Sequence, residues 1–343
     1  ATNHNANVFV FTGQGSQWCG MGQSLLKREP IVRETIQEID ELFQSLSGWS
    51  LLREIELPEN ESNIQQTRVA QPAIFAIQVA LVRLWASWGV HPSSVVGHSV
   101  GEVAAAWCAG IYSLHDAVRL IYHRSRLQNE TGGTGGMLVA GVSVNEANEF
   151  IGADADRVQI TAENSPSLVT IGGDIEPLEA IGASLEKRGH FVRWLGLNYA
   201  FHTHQMDPIR SDLLEALADL APRPETLPFV STVTGGQYPG TQMDAGYWWR
   251  NVREPVRFES AIATLAANQA TRFLEIGPHP SLRSSIDACL ADQKVQATIV
   301  HSLTRNTDAA LELATNLTKL AFDGVDVDWC EVNQSSGKFV PQP

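Results

Sequence analysis

Cysteine is scarce in this chain of 343 residues, and the spacing of the few cysteines excludes two kinds of architecture. Cys19, Cys108, Cys289 and Cys330 stand far apart, with no C-x-x-C pair and no cluster with histidine. A disulfide framework or a structural zinc site would need such clustering. We therefore expect no metal site, no disulfide scaffold and a reduced, cytoplasmic setting.

Long apolar runs and an excess of positive charge are also missing. Every apolar stretch is interrupted by polar residues, and no basic segment precedes an apolar one near the start, so the sequence predicts neither a membrane span nor a signal peptide. With 24 lysines and arginines against 38 aspartates and glutamates, the formal net charge is -14. Because nucleic-acid binding depends on clustered cations, we expect no nucleic-acid partner.

What the sequence does contain is the pentapeptide G-x-S-x-G at residues 97–101. Residues 94–96 are typical of a short buried strand, and residues 100–109 are strong helix formers followed by Gly110. In a strand, turn and helix of this kind, the serine is presented at the end of the strand, and the helix N-terminus offers N–H groups to an oxyanion. This context favours Ser99 as a nucleophile, and the alternative is a chance match in a glycine-containing loop.

A serine hydroxyl needs a base to take its proton, and the chain has ten histidines. Five of them lie in polar or terminal contexts, His123 precedes an arginine on a predicted helix, and we expect the side chain of His98 to leave the bent turn in another direction. The remaining candidates are His202, His204 and His279. The local sequence leaves all three open.

Seven sequence blocks occur in the order and approximate spacing of one known family. They are FTGQGSQ at residues 11–17, QPA at 71–73, GHSVGE at 97–102, HRSRL at 123–127, YAFH at 199–202, YWWRNVREPV at 247–256 and EIGPHP at 275–280. On these blocks the chain resembles the acyltransferase domain of a modular type I polyketide synthase, from about residue 8 to residue 330. That family is related to the malonyl-CoA:acyl carrier protein transacylases.

The resemblance implies ping-pong acyl transfer. Ser99 would take the acyl group and His202 would be the base that activates it. Gln14 and the backbone N–H of Val100 would form the oxyanion hole. One base can take and return the proton in both half-reactions.

The resemblance also assigns two supporting residues. Arg124 would hold the free carboxylate of a malonyl group, since a guanidinium can make two parallel hydrogen bonds to a carboxylate. The family has no carboxylate behind the histidine, and a backbone carbonyl orients it instead, by position that of Asn251. Asn251 should then matter through its backbone more than through its side-chain amide.

Five further residues are expected to contact substrate: Gln71, Gln128, Asn164, Tyr199 and Phe201. Asn164 begins an N-S-P segment that resembles the family's Asn-x-Pro loop and equally fits an ordinary turn. Malonyl-selective members tend to carry HAFH where methylmalonyl enzymes carry YASH, and YAFH at residues 199–202 is a hybrid. Phe201 should fill the space of a 2-methyl branch. We expect malonyl as the extender unit, with methylmalonyl or a larger substituted malonyl as the alternative.

Coenzyme A thioester and carrier-protein phosphopantetheine would be substrates, so no cofactor is expected. The implied partners are acyl-CoA, an acyl carrier protein and neighbouring synthase domains such as a ketosynthase.

Alternating helix and strand patterns predict an α/β fold with two parts. Residues 8–131 and 199–325 should form an α/β-hydrolase-like large subdomain with a parallel sheet. Residues 132–198 read βαββαβ, which predicts an inserted ferredoxin-like small subdomain. Residues 1–7 and 326–343 are interpreted as linkers, and we expect the chain to be a piece of a longer polypeptide.

Two other classes of function fit parts of the sequence. An α/β-hydrolase acting as a thioesterase or lipase would use the same serine and histidine, but it leaves Arg124 unexplained. A docking domain without catalysis is the third class, and the presence of Ser99, His202, Gln14 and Arg124 argues against it.

Overall fold

The computed structural model describes residues 7–133 and 135–335 and divides them between two sheets. The strands are β1 (Asn7–Phe11), β2 (Ser94–Gly97), β3 (Gly135–Ala140), β4 (Val158–Ser165), β5 (Leu168–Asp174), β6 (Val192–Trp194), β7 (Phe229–Ser231), β8 (Gly236–Gln237), β9 (Arg272–Ile276) and β10 (Thr298–His301). The helices are α1 (Gln23–Arg28), α2 (Pro30–Ser47), α3 (Leu51–Glu56), α4 (Thr67–Ser87), α5 (Gly101–Cys108), α6 (Leu114–Glu130), α7 (Val144–Ile151), α8 (Ile175–Lys187), α9 (Arg210–Ala216), α10 (Ala245–Arg253), α11 (Phe258–Ala267), α12 (Arg283–Asp292), α13 (Ala309–Phe322) and α14 (Trp329–Ser335).

The larger sheet has six strands in the order β10-β9-β1-β2-β7-β8. β1 pairs in parallel with β2 and β9, and β9 with β10 and β2 with β7 are parallel as well. Every residue of β1 is buried, which is typical of a parallel strand covered on both faces. The carboxyl ends of these strands therefore lie at one edge of the sheet, where the loops after β1 and β2 meet.

The smaller sheet is antiparallel, with the order β4-β5-β3-β6. Its elements follow one another as β3-α7-β4-β5-α8-β6, and it has its own apolar core. Together the two sheets confirm the predicted fold class, an α/β unit with an inserted βαββαβ unit.

The chain ends of the described region differ from the predicted linkers. Asn7 already belongs to β1, where it pairs with Arg272, so the strand begins one residue early. Residues 326–335 include α14, and Val327 is buried against the core, because its apolar side chain gains from burial. Residues 1–6, Thr134 and residues 336–343 lie outside the described part of the chain. The subdomain boundaries stay predictions.

Helix α4 is the one described helix long and apolar enough to span a membrane by length and composition. However, 89% of its most apolar window is buried inside the protein, where it packs against α2, α5 and α6. That packing is typical of a core helix.

The turn between β2 and α5 fits against β1 because two glycines have no side chain. A Cβ atom on Gly101 would lie 2.3 Å from the carbonyl oxygen of Phe11, and one on Gly97 would lie 2.3 Å from the backbone nitrogen of Glu102. Both contacts are with backbone, which cannot swing aside. The two glycines therefore set how closely the helix approaches the end of β1.

Replacing Gly101 by alanine should destabilise the fold. Forcing a methyl group against backbone should lower the free energy of unfolding by about 1–3 kcal/mol or more, measured by thermal or denaturant unfolding. Gly236→Ala is the matched control, since a Cβ there meets nothing within 4 Å. Equal stability of the two variants would contradict this description of the turn.

Candidate active site

Ser99 occupies the sharp turn between β2 and α5 and has φ 52, a left-handed conformation that a non-glycine residue rarely adopts. Its Oγ lies 2.8 Å from His202 Nε2 and 3.3 Å from Arg124 Nη2. The turn thus presents the hydroxyl to a candidate base and to a cation.

His202 is also held in a left-handed conformation, with φ 62, and it is buried. Its backbone N–H donates to the Val252 carbonyl at 3.2 Å, and its Nδ1 lies 2.8 Å from the Glu254 carbonyl oxygen. A carbonyl can only accept, so Nδ1 must carry the proton, and the lone pair of Nε2 then faces Ser99. Of the three candidate histidines, His202 is the one in contact with Ser99.

The carbonyl that orients His202 belongs to Glu254, so the assignment of this role to Asn251 is wrong. Asn251 lies inside α10, where carbonyls point along the helix axis. Glu254 follows the helix end in an extended conformation, φ -84 and ψ 157, which turns its carbonyl towards the imidazole. Among the described residues, the ring nitrogens of His202 contact Ser99 Oγ and the Glu254 carbonyl oxygen.

Asn251 contributes through its side chain instead, contrary to expectation. Its Oδ1 accepts from Arg124 Nε at 3.2 Å and Nη2 at 3.1 Å. Its Nδ2 donates to the Ser99 carbonyl oxygen at 3.2 Å and to Glu102 Oε2 at 2.9 Å. The amide therefore joins the turn of the serine, the arginine and a buried glutamate.

The guanidinium of Arg124 is buried and has an acceptor for each of its five N–H groups. Besides the contacts with Asn251 and Ser99, Nη1 donates to Gln71 Oε1 at 2.8 Å and to Gln128 Oε1 at 2.6 Å. Neutral amide oxygens thus provide four of the five acceptor contacts. The predicted residues Gln71 and Gln128 surround the arginine and are absent from the lining of the open cleft.

Gln14 uses its side chain to hold Tyr199. Its Nε2 donates to the Tyr199 hydroxyl at 2.8 Å and to Thr67 Oγ1 at 3.2 Å, and its Oε1 accepts from Gln71 at 2.9 Å. An oxyanion hole would therefore have to use the backbone N–H of Gln14. Within the described residues, neither this N–H nor that of Val100 has a protein acceptor.

Burial and charge give the two ionisable groups unusual pKa values. Desolvation, and after it the Arg124 cation, lower the pKa of His202 to about 3. Desolvation also lowers the pKa of Arg124 to about 9, against the opposing attraction of Glu102. At neutral pH His202 is an uncharged base beside a buried cation.

A cleft of about 510 Å³ opens over Ser99 between the two sheets. Tyr199 and Phe201 line it as a stacked pair with ring centroids 4.0 Å apart. Asn164 lines it from the smaller sheet and lies 3.0 Å from His98 Nε2 through its Oδ1. The ring of His98 reaches across the cleft to this amide, whereas Ser99 Oγ contacts His202.

The local sequence reading missed three groups: the Glu102 carboxylate, the Glu254 carbonyl and the His98 ring. Glu102 and His98 belong to the GHSVGE block, and their place in that matched block was the sequence signal for them. The burial of Glu102 is visible only in the structure, because acidic side chains are ordinarily exposed. The described residues contain no group of three or more side chains suited to hold a metal ion.

Known proteins share this architecture. A sequence model described as the acyl transferase domain matches residues 8–327. Erythronolide synthase EryA2 of Saccharopolyspora erythraea is 36% identical over 324 residues, which are 94% of this chain and 9% of the synthase. The chain covers only 9% and 6% of the next two curated relatives, both polyketide synthases of Streptomyces halstedii, so it spans a small part of these proteins.

Solved structures are similar over the whole fold. The acyltransferase domain from module 8 of the salinomycin polyketide synthase is 35% identical with a TM-score of 0.92, covering 96% of this chain and 78% of that one. The acyl transferase domain of SpnD, solved as a complex with 2-(pent-4-yn-1-yl)malonyl, is 28% identical with a TM-score of 0.85, covering 95% and 78%.

The lowered pKa of His202 predicts how the reactivity of Ser99 depends on pH. A base with a pKa near 3 stays neutral through mildly acidic solution, so the rate of Ser99 labelling by a fluorophosphonate probe should be nearly flat between about pH 5 and 8. The rate is measured by intact-protein mass spectrometry, with Ser99→Ala as the blank. A midpoint near the ordinary histidine pKa of about 6.5 would contradict the buried, uncharged base.

Proposed function

This chain belongs to the acyl transferase domain family and is an acyltransferase domain of the polyketide-synthase kind, and from that premise we propose its reaction. It transfers an acyl group, malonyl as the first candidate, from coenzyme A through an ester on Ser99 to the phosphopantetheine thiol of an acyl carrier protein. The observation that carries this proposal is the 2.8 Å contact between Ser99 Oγ and the lone pair of His202 Nε2, with Arg124 on the other side of the same oxygen.

In the first half-reaction, Ser99 Oγ attacks the thioester carbonyl and its proton passes to His202 Nε2. The backbone N–H groups of Gln14 and Val100, which have no protein acceptor in the described structure, supply hydrogen bonds to the tetrahedral oxyanion. Collapse breaks the C–S bond, and the leaving thiolate of coenzyme A takes the proton from His202. An ester on Ser99 remains.

In the second half-reaction, the carrier thiol gives its proton to His202 and attacks the ester. Collapse of the tetrahedral intermediate breaks the C–O bond to Ser99, and Ser99 Oγ takes the proton back from His202, which leaves a thioester on the carrier and the free enzyme. A thiol ionises near pH 8.5 and water only near pH 15.7, on the order of seven units apart. A base as weak as His202, which has no carboxylate behind it among the described residues, therefore favours the thiol over water. The ester should hydrolyse slowly.

Arg124 recognises the free carboxylate of the acyl group. Four of the five acceptor contacts around its guanidinium are neutral amide oxygens. Hydrogen bonds between charged partners are about twice as strong as neutral ones, so a carboxylate can replace some of these amides. Gln71 and Gln128 then act by holding the arginine in place until the substrate arrives.

Malonyl is favoured because the stacked rings of Tyr199 and Phe201 occupy one wall of the cleft. The hydroxyl of Tyr199 is fixed by Gln14, which limits how far the pair can retreat from a 2-substituent. A single methyl group changes selectivity by only about 1–3 kcal/mol. Methylmalonyl or a larger unit is the second candidate, and the SpnD domain is a relative solved with a larger substituted malonyl.

The partners follow from the reaction. We propose acyl-CoA as donor, an acyl carrier protein as acceptor, and neighbouring synthase domains, such as a ketosynthase, in a cytoplasmic multidomain protein. The curated relatives are far longer than this chain, which supports a role inside such an assembly. No cofactor is part of the proposed reaction.

Loss of Ser99 should abolish the acyl-enzyme. Wild-type protein mixed briefly with an equimolar pool of acetyl-, malonyl-, methylmalonyl- and ethylmalonyl-CoA should show a malonyl adduct by intact-protein mass spectrometry. Ser99→Ala should show none, because the attacking oxygen is gone. A labelled Ser99→Ala protein would place the nucleophile elsewhere. A methylmalonyl or ethylmalonyl adduct would show that the substrate is a branched malonyl unit. Rapid thioester hydrolysis without an adduct would favour a thioesterase.

Loss of Arg124 should change substrate preference more than total reactivity. In Arg124→Ala the malonyl acylation rate should fall by about tenfold or more relative to acetyl, since only malonyl carries a carboxylate to pair. Arg126→Ala is the matched control, because Arg126 is partly exposed and pairs with Glu130. An equal loss for malonyl and acetyl would refute the carboxylate-binding role.

A further inference from the structure

Glu102 is a completely buried carboxylate that the reaction above does not use. It lies in the first turn of α5, three residues after Ser99. Both of its oxygens accept hydrogen bonds: Oε1 from the backbone N–H of Thr232, and Oε2 from the Tyr247 hydroxyl at 2.8 Å and Asn251 Nδ2 at 2.9 Å. It contacts neither His202 nor the open cleft.

Helix α10 places two side chains in contact with this carboxylate. Tyr247 and Asn251 are four residues apart, so they lie on the same face of the helix, and both are buried. Their side chains converge on Glu102 Oε2. The Asn251 amide thus contacts Glu102 through its nitrogen and Arg124 through its oxygen.

The orientation of the Asn251 amide is fixed by its neighbours. Arg124 has only donors, so it must meet the oxygen of the amide. The NH₂ group then faces Glu102 and the Ser99 carbonyl, which are acceptors. An ionised carboxylate has no donor and can only accept hydrogen bonds. Glu102 therefore holds the Asn251 amide in the single orientation that suits Arg124.

The charges of Arg124 and Glu102 support the same link between these two residues. Within the described part of the chain, no carboxylate forms a salt bridge with Arg124, and Glu102 is the anion whose attraction opposes the desolvation of the guanidinium. One amide separates the two charges. Desolvation raises the pKa of Glu102, and the hydrogen bonds from Thr232, Tyr247 and Asn251 counter that rise.

We propose that Glu102 is a positioning residue for substrate selection: it holds the Asn251 amide in one orientation and, through it, keeps Arg124 placed to receive the substrate carboxylate. This inference rests on the proposed acyl transfer through Ser99 and Arg124. It predicts that the effect of Glu102 is specific to acyl groups that carry a carboxylate.

Glu102→Gln tests the proposal with almost no change of shape. Whichever way the new amide turns, its NH₂ group meets either the Thr232 N–H or the Asn251 NH₂ group, and a flip of Asn251 would point its NH₂ at Arg124. The ratio of malonyl to acetyl acylation rates, measured by rapid quench and intact-protein mass spectrometry, should fall by about tenfold.

Glu275→Gln is the matched control, since Glu275 is also a buried glutamate but caps the N-terminus of α12 and has no contact with Arg124. Its ratio of malonyl to acetyl rates should equal that of the wild type, even if its melting temperature falls. A Glu102→Gln protein with an unchanged ratio, or with equal losses for both substrates, overturns the positioning role. A wild-type protein that forms no malonyl ester overturns the proposed function as well, so the two failures are distinct.

A double-mutant cycle tests the route through Asn251. If Glu102 acts through this amide, Glu102→Gln and Asn251→Ala should each lower the ratio, and the double variant should be no worse than Asn251→Ala alone. Additive losses would show separate routes and overturn the proposal. Should Glu102→Gln fail to fold, Asn251→Ala removes the amide that joins Glu102 to Arg124, and the proposal requires the same ratio to fall there; no fall overturns it.

Discussion

The buried guanidinium of Arg124 is the charge on which the candidate site depends. A cation removed from water must be compensated by its surroundings, and here two glutamines, an asparagine and the Ser99 hydroxyl supply an acceptor for every N–H. Desolvation lowers the pKa of His202 most, and the same cation lowers it further. One buried charge thus contributes to the low basicity of the histidine and offers a place for a carboxylate.

Two strained residues meet at the reacting oxygen, and the surroundings hold both. Ser99 and His202 each have positive φ, a conformation that costs about 1–3 kcal/mol for a non-glycine residue unless the structure enforces it. The turn of Ser99 is enforced by its flanking glycines and by the bond from Asn251. The loop of His202 is tied to the end of α10 through Val252 and Glu254. The pair is therefore placed before any substrate binds.

Sequence patterns could predict what is local. The strand, turn and helix around Ser99 and the βαββαβ order follow from patterns within short segments. The contact of Ser99 with His202 is long-range and follows from the matched sequence blocks. The side-chain contacts of Glu102 and Asn251 could not be predicted, because their partners lie 127 to 152 residues away in the chain. The carbonyl facing His202 was misassigned because its direction depends on the residue at which α10 ends.

The most direct test of this account is a crystal structure of the acyl-enzyme formed by soaking with malonyl-CoA in the absence of any thiol acceptor. We predict an ester on Ser99 whose free carboxylate bonds to the guanidinium of Arg124 in place of one or more amide oxygens. A malonyl ester whose carboxylate points into the open cleft, with Arg124 still bound to Gln71, Gln128 and Asn251, would contradict it.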